Sequence, residues 1–170
     1  MNRFFSTSSR ITYKSILSQH VSNKSLNNIR KILLNNSANR ITHKKRLRIN
    51  IHKQIHQLLK DNNFINNNEN IYAYEILSLA AFHIQDYATM LRIAKLNNKK
   101  KTTSIEHDNL YIIGKCYIDC NNGNYNTFTK FFNNLPNHNI LTHHTLYNII
   151  STYINASQYT LALSLLKQYS

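Results

Sequence analysis

The sequence predicts an all-α protein in which helix–turn–helix repeats form a short α-solenoid. Apolar residues recur at the i, i+3, i+4 and i+7 spacing of one helix face in several segments. The 170 residues include only two Gly and one Pro, so a β-rich fold with many tight turns is not expected. About three hairpins should follow a set of N-terminal helices, because a single hairpin of this size cannot bury enough surface by itself.

The first 26 residues, MNRFFSTSSRITYKSILSQHVSNKSL, have the composition of a mitochondrial transit peptide. They are rich in Ser and Thr, contain no acidic residue, and carry the basic residues Arg3, Arg10, Lys14 and Lys24. Each positive charge drawn toward the negative matrix side gains about 2.3 kcal/mol per 100 mV. We predict a transit peptide or basic disordered segment over 1–35, a location in the mitochondrial matrix, and a helical-repeat domain over 40–170.

Charge is unevenly distributed along the chain. Residues 1–60 contain 13 Lys and Arg and no Asp or Glu, whereas residues 61–170 contain 8 basic and 7 acidic residues. An ordinary solvated surface carries charges of both signs. Residues 1–60 should therefore be a targeting sequence, a surface that binds a polyanion, or both. No apolar run approaches the length of about 20 residues that a transmembrane helix needs, and no transmembrane segment is predicted.

Two N-terminal helices are predicted from their apolar stripes, and a loop is predicted over 62–70. The stripe of the first helix is Leu26, Ile29, Ile32 and Leu33. That of the second is Leu47, Ile51, Ile55, Leu58 and Leu59. Each set repeats at the helical period, so one face of each helix should be buried.

Three hairpins are predicted at about 70–97, 107–135 and 142–169, with loops over 97–108 and 136–141. Their second helices open on Tyr87, Tyr125 and Tyr159, which are 38 and 34 residues apart. We expect the turn of the middle hairpin to be two residues longer than that of the last. The second helix of the last hairpin should bury the stripe Tyr159, Ala162, Leu165, Leu166 and Tyr169.

The last hairpin, TLYNIISTYINASQYTLALSLLKQY, resembles a pentatricopeptide repeat. The matching residues are Thr145, Ile149–Ile150, Tyr153, Ala156–Ser157, Ala162, Leu165–Leu166 and Tyr169. The resemblance covers about 70–170 and is specific only in the last 26 residues. Tetratricopeptide repeats are the close alternative, but their Trp and their Gly–Tyr pair are absent.

The resemblance implies an organellar RNA-binding protein, similar to the degenerate repeat proteins that act as mitochondrial expression factors in yeast. In the family a polar residue near the start of each first helix reads a base. Tyr111 and Tyr147 fall at that place, with Asn148 one step on. Family spacing would continue the last hairpin into another repeat, so we expect the chain to be the N-terminal part of a longer protein.

RNA binding requires cations for the phosphates and flat side chains for unstacked bases. The predicted RNA-binding cations are Lys44, Lys45, Arg46, Arg48, Lys53, Lys99, Lys100, Lys101 and Lys115. Tyr111 and Tyr147 could stack on bases, although tyrosine cannot supply the hydrogen-bond readout usual in the family. The alternatives are a solvated loop for 99–101, a longer transit peptide for 44–53, and ordinary packing for the tyrosines.

The favoured function is binding of single-stranded mitochondrial mRNA or rRNA in RNA processing, stability or translation. The mitoribosome and the inner-membrane surface are further candidate partners. The alternative is a protein-binding scaffold or a peripheral subunit associated with the mitoribosome. An enzyme is the weakest option, since there is no Gly-rich phosphate loop and carboxylates are few, and no catalytic residue or cofactor is predicted.

Two pairs at i and i+4 spacing are candidate chemical sites. Cys116 and Cys120 are expected to be buried, reduced thiols on one helix face. His52 and His56 could share a metal ion, but their basic neighbours oppose a cation, so no metal site is predicted.

Overall fold

The computed structural model describes residues 17–18, 21–36, 41, 43–61, 64, 72–98, 105–135 and 141–169. Over these residues the chain forms eight α-helices, with no β-strand in the described ranges, so the all-α prediction is confirmed. The helices are α1 (Lys24–Asn35), α2 (Lys45–Leu58), α3 (Ala73–His83), α4 (Tyr87–Asn98), α5 (Ile105–Asn121), α6 (Tyr125–Asn133), α7 (His143–Asn155) and α8 (Tyr159–Tyr169).

The N-terminal helices α1 and α2 pack against each other and against α3. Leu17 and Val21, which precede α1, are buried in the same hydrophobic cluster as α1 itself. The Arg30 guanidinium on α1 donates a hydrogen bond to the Leu17 carbonyl at 2.6 Å. Leu17 and Val21 therefore belong to the packed unit, although they lie within the segment that the sequence predicts as a transit peptide. Residues 1–16 of the predicted transit peptide lie outside the described residues.

Helix α3 is the centre of this part of the fold. All nine residues from Ala73 to Ala81 are buried, and α3 contacts α1, α2, α4 and α5. A helix that is apolar on every side must be covered on every side. The segment AYEILSLAA has polar side chains only at Glu75 and Ser78 besides the Tyr74 hydroxyl, and these are buried as well, so its apolar residues do not mark one face of the helix.

The three successive helix pairs α3–α4, α5–α6 and α7–α8 share one type of turn. In each turn one residue adopts a left-handed conformation: Gln85 (φ 62°), Gly123 (φ 74°) and Ser157 (φ 57°). The next residue donates its backbone N–H to a carbonyl five positions back, as from Gln158 to Tyr153 at 2.8 Å. This is the Schellman arrangement that ends many helices, and the second helix starts two residues after the left-handed residue each time.

The turns of the middle and last pairs have the same length, which corrects the predicted difference of two residues. Each has three residues, 122–124 and 156–158, between its helices. The extra residues belong to α5, which has 17 residues where α7 has 13. The predicted loop over 97–108 is also too long, because α4 runs to Asn98 and α5 begins at Ile105.

Two buried clusters meet within α5. The first core contains α1 to α4 and ends with Leu110, whereas the second core begins with Ile112 and continues through α6, α7 and α8. In the middle of α5, Gly114 faces α4 so closely that an added Cβ would overlap the terminal methyl group of Met90. Glycine at this point therefore leaves room for the end of the buried Met90 side chain between α4 and α5.

Five of the ten positions that carry the repeat resemblance are buried in the last pair. Thr145, Ile149, Tyr153, Ala162 and Leu165 have between 0% and 6% of their surface exposed. The predicted buried stripe of α8 is nevertheless wrong at two positions, because Tyr159 is 59% and Leu166 is 46% exposed. Both side chains lie on the side of α8 that the described residues do not cover.

Candidate nucleic-acid interface

Five cations of helix α2 and its N-cap form a surface that we call the α2 basic face, which consists of Lys44, Lys45, Arg46, Arg48 and Lys53. All are exposed except Arg48, which is half-buried. The opposite side of α2 buries Ile51, Ile55 and Leu58, and this burial fixes the outward direction of the cations. The five predicted RNA-binding residues of this segment therefore lie on one folded helix.

Arg48 has a structural contact as well as a charge. Its guanidinium Nη2 donates a hydrogen bond to the backbone carbonyl of Ile84, at the end of α3, at 3.0 Å. Carbonyl groups at a helix C-terminus lack intrahelical donors, so this bond satisfies one of them and fixes α2 against the α3–α4 turn. Arg48 is thus part of the scaffold of the surface.

The first turn of α2 carries positive charge where a helix favours negative charge. Lys44 is the N-cap residue, and no side chain of the described residues caps this end. The N-termini of α1, α4 and α7 are capped by Asn23, Asp86 and Thr142, whereas α3 and α6 resemble α2 in having no side-chain cap. The unpaired N–H groups and the helix dipole make an uncapped N-terminus electropositive, and the lysines add to it. A bound anion would relieve both unfavourable effects.

Two grooves flank this cationic turn. One of about 610 Å³ separates the end of α1 from the start of α2 and is lined by Asn36, Lys44, Lys45, Arg46, Leu47 and Asn50. The other, of about 550 Å³, separates α2 from the α3–α4 turn and is lined by Lys45, Arg48, Ile49, His52, Lys53, Ile84, Gln85 and Asp86. Lys45 lines both grooves, so the start of α2 is a basic ridge between two depressions.

One carboxylate, Asp86, enters the second groove, and two imidazoles of α2 face it. The Oδ2 atom of Asp86 lies 3.1 Å from Nδ1 of His52 and 3.9 Å from Nε2 of His56. Its Oδ1 atom accepts a hydrogen bond from the Thr89 backbone N–H at 3.1 Å and so caps α4. Burial lowers the pKa of His56, and the adjacent His52 lowers it further, against the opposing effect of Asp86.

Tyr111 and Lys115 on α5 are placed together, but they face α6. The Tyr111 ring meets the Phe131 ring edge-on at 6.1 Å between centroids. The Lys115 ammonium lies 5.2 Å from the centre of the same Phe131 ring and 2.9 Å from the Asp119 carboxylate. These contacts are packing within one helix pair, which was the alternative interpretation of Tyr111.

Tyr147 and Asn148 on α7 differ in exposure. Tyr147 is 57% exposed. The Asn148 side-chain amide donates to the His144 carbonyl one turn earlier at 2.7 Å, so one of its donors is used within the helix. The predicted cations Lys99, Lys100 and Lys101 lie outside the described residues.

The structure thus brings the α2 cations together and places the predicted tyrosines on other helices. Helix α2 packs on α1 and α3, whereas Tyr111 and Tyr147 belong to α5 and α7. The sequence prediction missed the α3–α4 turn, which supplies Ile84, Gln85 and Asp86 to the groove. A detectable signal was present, because Asp86 directly precedes the tyrosine that opens α4, and Asp is a favoured N-cap residue.

The thiols Cys116 and Cys120 are free and buried in the second core, as predicted. Their sulfur atoms are 3.9 Å apart. The hydrogen bond to Cys120 and burial both raise the pKa of the Cys116 thiol. A protonated, inaccessible thiol is a packing group, so this pair adds nothing to the candidate interface.

A second exposed surface lies on the last helix pair and is apolar. Its large side chains are Tyr147, Ile154, Tyr159, Leu163 and Leu166, each at least 46% exposed. Single exposed apolar residues are common, but several on two adjacent helices are typical of a contact surface.

No protein-family model, curated protein or solved structure matches this chain. Within the described residues, the helices are too short or too polar to cross a membrane.

Proposed function

We propose that this protein is a helical-repeat protein that binds single-stranded RNA in mitochondria and acts in RNA processing, stability or translation. The observation that carries the proposal is the α2 basic face at an uncapped helix start. Clustered cations release the counterions of a nucleic-acid backbone when they bind it, and this release is the main source of sequence-independent affinity. The two grooves beside Lys45 provide space for a backbone that crosses the ridge.

We infer that binding at this face tolerates different sequences. The residues that line the two grooves supply mainly ammonium, guanidinium and amide groups, together with the His52 imidazole and the Asp86 carboxylate, and no Phe, Tyr or Trp is among them. The His52 ring lies 3.1 Å from the Asp86 carboxylate, so the cations, and with them the phosphates of the RNA, dominate what these grooves can bind. Base contacts, if the protein makes them, would come from an exposed ring such as Tyr147.

Two further observations support this assignment. The last helix pair resembles a pentatricopeptide repeat, a family that is typically organellar and RNA-binding. The first 16 residues carry Arg3, Arg10 and Lys14 and no acidic residue, which is typical of a mitochondrial targeting sequence. The repeat resemblance and the basic N-terminal segment support each other, because an organellar RNA-binding protein would need a targeting sequence.

The test compares two charge-matched variants. The first changes the exposed residues Lys44, Lys45, Arg46 and Lys53 to Gln and leaves the structural Arg48 in place. The second changes four exposed cations of α4, α6 and α8 to Gln: Arg92, Lys95, Lys130 and Lys167. Binding to single-stranded RNA is measured by fluorescence anisotropy between about 50 and 200 mM salt, a range over which the attraction between cations and phosphates is screened.

The first variant should bind RNA more weakly for every sequence. Its log–log salt slope should fall by about 0.7 for each phosphate that is no longer neutralised, or by about 3 if all four side chains bind phosphates. The second variant should keep most of the affinity and the slope. An equal decrease in affinity in both variants would mean that total charge alone attracts RNA, and the α2 basic face would not be the binding site.

The mitochondrial location requires a test that leaves the fold intact. Leu17 and Val21 are core residues, so a deletion that reaches them would disrupt the first core as well as remove the targeting sequence. We therefore expect a deletion of residues 1–15, or the change of Arg3, Arg10 and Lys14 to Gln, to leave the protein in the cytosol. If cell fractionation shows unchanged import of both variants, the prediction that residues 1–15 act as a mitochondrial targeting sequence is wrong.

The apolar surface of α7 and α8 favours a second function, a protein-binding scaffold or a peripheral subunit of the mitoribosome. A protein partner would cover Leu163 and Leu166, which an RNA backbone would not. Ultraviolet crosslinking to RNA and chemical crosslinking to protein, both in isolated mitochondria, distinguish the two functions. Crosslinks to RNA that disappear in the α2 variant support RNA binding, whereas crosslinks to protein alone, through α8, support the scaffold.

A further inference from the structure

We propose that His52, His56 and Asp86 bind a zinc ion that joins α2 to the start of α4. This site goes beyond RNA binding and does not depend on it. The three residues come from two segments, His52 and His56 from α2 and Asp86 from the α3–α4 turn, which are 30 to 34 positions apart in the sequence. The fold alone brings them together, and the histidine spacing by itself gave only two of the three ligands.

The geometry is close to that of a three-ligand zinc site. The candidate ligand atoms of the three side chains all lie within 4.8 Å of one another. Two of the separations are 3.1 Å, from His52 Nδ1 to Asp86 Oδ2, and 3.9 Å, from His56 Nε2 to the same oxygen. Ligand atoms at bond lengths of about 2.1 Å in a tetrahedral zinc site are roughly 3.4 Å apart, so small side-chain rotations would complete the arrangement.

The carboxylate of Asp86 is held in position for this role. Its Oδ1 accepts the Thr89 backbone N–H at 3.1 Å, which orients the group and leaves Oδ2 directed at the imidazoles. The Thr89 hydroxyl lies 3.4 Å from His56 Nε2 and would rotate away on metal binding. A ligand carboxylate anchored by a second hydrogen bond is typical of metal sites.

The imidazoles have an environment that suits zinc. His52 and His56 lie one helical turn apart on α2, at i and i+4, so their imidazole nitrogens can reach the same ion. His52 is about half exposed, so an ion can enter and a water molecule can take the fourth position. The two rings stand 4.2 Å apart and tilted by 55°, close enough to share one ion.

The surrounding cations act against metal binding and set its strength. Arg48 and Lys53 line the same groove, and Lys60 and Arg92 are close enough for their charges to act on His56. One carboxylate leaves the bound zinc with a net positive charge, which these cations repel. We therefore expect the affinity for zinc to be lower at low salt, where this repulsion is less screened. Because two of the three ligands are imidazoles, the site should prefer zinc to Mg²⁺ and Ca²⁺, which bind oxygen ligands.

The test uses the untagged full chain without RNA. Zinc is titrated by isothermal calorimetry in the wild type and in three variants, His52→Gln, His56→Gln and Asp86→Asn. Asn is itself a good N-cap residue, so Asp86→Asn should keep the start of α4, and His52→Gln alters a half-exposed side chain. His43→Gln, at an exposed histidine just before α2, is the matched control. Circular dichroism verifies that each variant is folded.

We expect one zinc ion per chain in the wild type and in His43→Gln, with at least tenfold weaker binding in the other three variants. Zinc should also raise the melting temperature of the wild type, since it binds only where the fold holds Asp86 beside His52 and His56. Absence of zinc binding in the wild type would overturn the proposal. Equal affinity in all four variants would do the same. Because RNA is absent, failure of the RNA assay would leave this result unaffected.

Discussion

The Thr145 hydroxyl on α7 donates a hydrogen bond to the side-chain oxygen of Asn109 on α5. The two residues are 36 positions apart and occupy the same place in successive first helices, one residue before Leu110 and Leu146. The Asn109 oxygen also accepts the backbone N–H of Thr142 at 3.1 Å, and the Thr142 hydroxyl caps α7 by accepting the Thr145 N–H at 3.2 Å. This buried network fixes the starts of α5 and α7 relative to each other.

A double-mutant cycle should detect this coupling. Asn109→Ala leaves the buried donors of α7 without their acceptor, so we expect a decrease of about 2–3 kcal/mol in the free energy of unfolding. Thr145→Val keeps the shape and removes one donor, at a cost of about 1 kcal/mol. The double variant should be destabilised by less than the sum, with a difference of more than 0.5 kcal/mol, roughly the limit for independent sites. Additive effects in urea unfolding would show that the two side chains act separately.

The shared turn offers a second prediction, because its three left-handed residues differ in type. Gly123→Ala should destabilise the protein by about 1 kcal/mol, since an L-residue resists this conformation. Nothing lies within 4 Å of a Cβ added at Gly123, so only the backbone angle is tested. The reverse change, Ser157→Gly, should stabilise by up to about 1 kcal/mol. Thermal unfolding measures both, and an effect of the same sign in both variants would contradict the shared geometry.

A third prediction concerns pH. Burial, together with the nearby His144, lowers the pKa of His83 to about 4 from its ordinary 6.5. The Nδ1 atom of His83 is buried and has no hydrogen-bond partner within the described part of the chain. Between pH 6.5 and 4 the unfolded chain therefore binds a proton that the folded chain does not. Stability should fall as the pH decreases through this window, by at most about 1.4 kcal/mol per pH unit from His83.

The variant His83→Leu should flatten this dependence. A residual slope is expected from His56 and His144, because burial lowers the pKa of each of them as well. Urea unfolding at pH 7, 6 and 5 provides the comparison. A slope as steep in the variant as in the wild type would mean that His83 is not the group that titrates.

The sequence predicted the helices well where one face is buried. In such helices the apolar residues repeat at the helical period, because they lie on the face that packs against the core. This applies to α1, whose Leu26, Ile29 and Leu33 are buried, and to α6 and α7. Helix α3 was less distinct, since a helix that is covered on all sides has no polar face to set the period. The burial of Leu17 and Val21 was not predicted, because the basic composition around them is typical of a targeting sequence.

The candidate site was predicted only in part, for a different reason. The cations of α2 are close together in sequence, so their clustering could be seen directly. The hydrogen bond from Arg48 to Ile84 and the approach of Asp86 to His52 join segments more than 30 residues apart. Such contacts depend on how α2 packs on α3, and that packing is a property of the tertiary fold.

The position of α5 across both cores has a consequence for dividing the protein. The boundary between the two hydrophobic clusters lies between Leu110 and Ile112, inside a continuous helix. A cut before α5 would remove Leu110 from the first cluster and expose the α4 surface that Gly114 contacts. A cut after α5 would remove Cys116 and Cys120 from the second cluster. Expression of either half should therefore yield an aggregation-prone fragment, and the two halves should recover their structure only when they are produced together.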